Sequence, residues 1–91
     1  MLNFKLAPSL DKKLSKIKKK NKKEFENIKN KIMEIASSDE LTIENYKNLK
    51  KPMQHLKRAH VNSHFVLTFN YDKNSKLITF IDYRHHNEAY K

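Results

Sequence analysis

Apolar residues change their spacing once along the chain, and the change divides it. Leu10, Leu14 and Ile17 recur at helical intervals, and Phe25, Ile28, Ile32, Ile35 and Ala36 make a second stripe of the same period. From residue 55 the pattern alternates, most clearly in residues 64–71, where Phe65, Leu67, Phe69 and Tyr71 share one face. A helix buries a stripe and a strand buries every second residue, so each half needs the other to cover it. The expected fold is α+β: a short N-terminal strand at residues 2–6, a two-helix antiparallel hairpin, then a three-stranded antiparallel meander from residues 55–61, 64–71 and 77–83.

Local signals set the joints. Pro8 and Ser9 mark a helix start, with Ser9 as the candidate cap and Asp11 favourable in the first turn. Lys20, Asn21 and Lys22 break the two stripes apart; one long bent helix is the alternative to a hairpin. Asp72, Lys73, Asn74 and Ser75 are turn formers between the last two strands, and Val61, Asn62 and Ser63 make a tighter reversal before them. Residues 39–54 have no clean period. A connection that long in a small domain is more often functional than idle.

Ninety-one residues suit a single domain, 1–91. Leu, Ile, Val and Phe supply about a quarter of the chain, enough for a core but a marginal one. Cysteine is absent, which excludes disulfides and thiolate catalysis and fits a reducing, cytoplasmic setting. Glycine is absent too, which excludes glycine-based phosphate cradles. No apolar run approaches a spanning helix and no secretory signal opens the chain, so no membrane role is expected.

The charge points to a polyanion. Twenty Lys and Arg against ten Asp and Glu leave +10, and a surface this cationic repels itself unless it meets negative charge. Residues 12–23 carry eight lysines and no acid, and Lys47, Lys50, Lys51, Lys57 and Arg58 form a second unrelieved group. Nucleic acid is the obvious partner, because cations that neutralise phosphates release condensed counterions. The first run reads equally as the solvated side of a helix hairpin.

All five histidines lie at or beyond residue 55. An antiparallel meander carries the end of its first strand, the start of its second and the end of its third to one rim, which gathers His60, His64 and one of His85 and His86. Alternation admits only one of that last pair. Arg58 shares a strand face with His60, and Arg84 with His86 if the strand runs so far. Imidazoles exchange protons near neutrality and fixed cations stabilise charge on phosphate. Together they suit metal-free RNA cleavage, in which a base activates the 2′-hydroxyl and an acid protonates the 5′-oxygen. Phe65, Tyr83 and Tyr90 are candidate stacking partners for an unpaired base, although Phe65 also opens the core stripe. No metal or cofactor is required; a histidine-held metal joined by Asp82 or Glu88 is the alternative.

These residues carry a resemblance. The stretch 56–67, with His60, His64 and Phe65, and the ending Asp82-Tyr83-Arg84-His85-His86-Asn87-Glu88-Ala89-Tyr90 are similar to the RelE/ParE superfamily of type II toxin–antitoxin modules. They are most similar to its histidine-using mRNA interferases, the YafQ-like branch. The resemblance implies a RelE-like fold, cleavage of mRNA on the ribosome, and an acidic antitoxin as partner. By position it implies catalysis by His60 and His86, with His64 where that branch has an acid and Phe65 where it has an aromatic. Lys50, Lys51 and Arg58 fall where phosphate-contacting cations lie, Lys57 and Arg84 add to that surface, and Tyr90 matches a terminal aromatic. Lys51-Pro52 follows Leu49-Lys50 where the family often has glycine. A gyrase-inhibiting member or an RNA-binding module without turnover are the other classes to weigh.

Overall fold

The computed structural model describes residues 1–86. Strand β1 (Asn3–Leu6) leads into helices α1 (Pro8–Lys20) and α2 (Lys22–Ala36), a short α3 (Glu40–Glu44), and strands β2 (Lys57–His60), β3 (Phe65–Asp72) and β4 (Leu77–His85). The sheet order is β1-β4-β3-β2, with the last three antiparallel and β1 parallel to β4. This is the α+β arrangement expected, with a hairpin in place of one bent helix. Among the described residues, no helix is long and apolar enough to cross a membrane.

The hairpin turns on one residue. Asn21 is extended (φ −149°, ψ 92°), donates its N–H to Ile17 O, and accepts from Glu24 N through its side chain, so it ends α1 and caps α2 together. Ser9 is not the cap of α1. Pro8 takes the first helical position, where its missing N–H costs nothing, and the cap position falls to Ala7, whose N–H bonds Phe80 O. Leu10, Leu14, Ile28, Ile32 and Ile35 then pack on Leu67, Phe69, Ile78, Phe80 and Tyr83 of the sheet.

Two irregularities position the rim. Phe69 pairs with Phe80 but Thr68 pairs with Asp82, so Ile81 is an extra residue in β4. The bulge reverses the alternation: Ile78 and Phe80 face the helices before it, Tyr83 and His85 after it. The other device is the 45–56 connection. Lys47 O accepts from Arg58 N, Asn48 bridges to Lys57, and Leu49 N donates to Leu56 O, so the segment lies along the outer edge of β2. Leu49 and Leu56 are buried, and so are Val66 and Thr68 on the sheet face away from the helices. This covers an edge that would otherwise offer unpaired backbone to another chain.

Candidate active site at the sheet rim

The meander gathers four histidines at one end of the sheet. His60 closes β2, His64 stands in the turn before β3, His85 closes β4 and His86 follows it. Asn62 shapes that turn, its Oδ1 accepting from the N–H groups of His64 and Phe65 at 2.8 and 2.9 Å. The His86 N–H donates to His64 O, which ties the end of β4 to the turn.

The four rings fall into two pairs. His60 and His86 stand 5.6 Å apart between centroids, and His64 and His85 stand 6.2 Å apart with planes 16° from parallel. By register His60 aligns with Val66 and Arg84 on the face away from the helices, whereas His85 aligns with Phe65 on the helix face. The strand's alternation, which seemed to admit only one of His85 and His86, instead gives each side of the rim one of them.

Beside the first pair, a cleft of about 420 Å³ follows the outer edge of β2, lined by Lys31, Asn45, Tyr46, Lys47, Arg58, Ala59 and His60. It brings three cationic side chains to one histidine, the electrostatic setting a phosphodiester needs. Lys31 also meets Glu34 at 2.7 Å, which offsets part of its charge. Sequence reasoning passed over Lys31. Its signal was there, three residues after Ile28 at the margin of the buried stripe of α2.

Other expected residues are placed differently. Lys57 is turned inward. It is 7% exposed, its stem lies on the helix face with Ala59, and its ammonium donates to Glu44 O, Tyr46 O and Asn48 Oδ1 at 3.1–3.3 Å. Lys50 and Lys51 are exposed, but the Leu49–Leu56 pairing sets them beyond the end of β2 opposite His60. Arg84 folds back on Asp82 (Nε–Oδ2 2.6 Å), and Asp82 also accepts from Lys13 Nζ and Tyr83 N at 2.7 and 2.8 Å. Burial pushes the Asp82 carboxyl up, yet the bonds from Arg84, Lys13 and Tyr83 outweigh it and hold it below the usual range. Tyr83 is buried against Phe65 with its hydroxyl on Glu24, so only Phe65 of the two remains partly open. Glu88 and Tyr90 lie outside the described residues. Among the described residues, no group of three or more His, Cys, Asp or Glu is placed to hold a metal ion.

Comparison with known proteins agrees with this fold. No family model matches the chain. A candidate toxin of Methanocaldococcus jannaschii, RelE4, is 40% identical over 91 residues, covering all of this chain and 93% of that protein. The chain belongs to the RelE/ParE toxin superfamily. An uncharacterised protein of Methanosarcina mazei is 46% identical over 99% of this chain and all of its own length. In fold, this RelE-type toxin is similar to the YoeB–YefM complex of Staphylococcus aureus, at a TM-score of 0.72 and 20% identity, over 94% of this chain and 98% of that one.

Proposed function

We propose that this RelE-type toxin is an endoribonuclease that cuts mRNA engaged on the ribosome, and that an acidic antitoxin holds it in check. The observation that carries the reading is the His60–His86 pair, 5.6 Å apart, with His60 lining a cleft that also holds Arg58. In this mechanism the two imidazoles divide the proton transfers: one takes the proton from the 2′-hydroxyl, the other gives one to the departing 5′-oxygen. Arg58 stabilises the charge that builds on the phosphorus-bound oxygens, and Lys47 and Lys31 hold the strand through its phosphates. DNA has no attacking hydroxyl, so the activity is confined to RNA. The net charge of +10 supports both an RNA substrate and an acidic protein partner.

The test adds the protein to translating ribosomes and maps the message by primer extension. New 5′ ends within the coding region are expected, and they should persist in the presence of a chelator of transition metals. His60→Ala and His86→Ala should each slow cleavage by roughly 10²–10⁴ with the circular dichroism spectrum unchanged. Intact message beside inhibited DNA gyrase would overturn the nuclease reading.

A further inference from the structure

The helix side of the rim carries a row of rings that the proton transfers at His60 and His86 do not use. Tyr83 stacks on Phe65 (centroids 4.9 Å, planes 13° apart), Phe65 meets the edge of His85 at 5.3 Å, and His85 faces His64 at 6.2 Å. The inner end is fixed, since Tyr83 is buried and its hydroxyl donates to Glu24 Oε2 at 2.9 Å. The outer end is His64, which is exposed. A polar hollow of about 230 Å³, bounded by Asn21, Lys23, Glu24, Asn27 and Asn62, adjoins the row through Glu24 and Asn62.

We propose that His85 and His64, backed by Phe65, form a stacking subsite for one unpaired nucleobase of the RNA strand, and are not a second proton-transfer pair. The inference rests on reading the rim as an RNA-binding site. Three observations favour it. The outer rings are nearly parallel, and a flat base between two parallel rings needs about 7 Å from centroid to centroid, twice the ~3.5 Å contact distance. The pair at 6.2 Å is already close to that spacing. Arg58, the cation that would stabilise a reacting phosphate, lies on the other face of the sheet by register. Finally, the row has an anchored inner end: Tyr83, buried and bonded to Glu24, stacks on Phe65, and Phe65 in turn meets His85. Bases of any identity stack on such a row, and the adjoining hollow offers amide groups to the edge of the base it holds.

Binding and turnover separate the two roles of His85. A single-stranded 2′-O-methyl oligonucleotide cannot be cut by 2′-hydroxyl attack, and fluorescence anisotropy reports its affinity directly. His85→Ala and His64→Ala should each weaken binding roughly 5- to 150-fold, the usual loss for one stacked base. His85→Phe keeps a ring and loses the proton chemistry, so it should bind nearly as the wild type does. With cleavable RNA, His85→Ala should raise KM and leave kcat little changed, and His85→Phe should restore KM. Loss of kcat in His85→Phe with undiminished binding would overturn the proposal. So would equal affinity for the oligonucleotide and for the same strand lacking its bases, or no binding at all. Wild-type binding that depends on bases, without cleavage, would sustain the subsite while refuting the nuclease.

Discussion

A lysine ammonium has three protons to donate, and Lys57 directs its own to three oxygens of residues 44–48. Lys57→Met would keep the buried stem and leave those oxygens without their donor, so it should destabilise the fold by about 1–3 kcal/mol in urea denaturation. Unchanged stability with weaker RNA binding would restore Lys57 to the phosphate-contacting set. Strand alternation could have separated it from Arg58 and His60, because neighbours on a strand face opposite sides; what it could not supply was the loop that waits for the ammonium. Tyr83 gives a pH signature. Burial, then the hydrogen bond to the Glu24 carboxylate, hold its phenol well above the ordinary range. The folded state therefore keeps this proton more tightly than the unfolded chain, so the contribution is complete below about pH 10 and fades as pH rises beyond it. Denaturation midpoints between pH 9 and 11 should fall more steeply for the wild type than for Tyr83→Phe.

Among the elements, the bulge at Ile81 decides which side chains reach which face. Deleting Ile81 would remove the extra residue and leave Asp82 opposite Thr68 and Tyr83 opposite Leu67, so Tyr83 and His85 keep the helix face and Asp82 and Arg84 the other. The expected result is RNA cleavage retained with a native circular dichroism spectrum; loss of cleavage in that variant would mean that the extra twist of the bulge, and not the facing of the side chains alone, sets the rim. The consecutive apolar residues Phe80 and Ile81 were the trace of this phase change in the sequence, but two adjacent apolar residues also suit a strand buried on both faces. Both helices were legible because their stripes run for several turns. The five-residue α3 was not, since so short a segment shows no period and has its stability from packing, with Asp39 capping Thr42 N. The pairing of residues 47–49 along β2 escaped notice for another reason: it depends on an edge that exists only once the sheet is built.

For the molecule as a whole, the charge makes affinity depend on salt. With single-stranded RNA, the logarithm of the association constant should fall against the logarithm of salt by about 0.7 for each phosphate neutralised. Replacing Lys31 and Lys47 by Gln should reduce that slope by roughly 1.4 if each meets one phosphate at the cleft. Anisotropy titrations between 50 and about 300 mM salt would measure it, and an unchanged slope would place the strand elsewhere. Composition suggested a polyanionic partner, and the order of the meander strands foretold the histidine rim. The choice of cations was hidden, because Lys31 comes from a helix and Lys47 from a connection, and only tertiary packing sets them beside Arg58.

Strand β1 has its partner far along the polypeptide: Asn3 pairs with Leu77, 74 positions later. At ~5–20 residues per second, the opening segment waits about 4–15 s during synthesis before that partner has been made. The histidines that complete the rim arrive after it. A growing toxin therefore has no finished rim until His86 has been made, an interval in which a freshly made inhibitor can already be at hand.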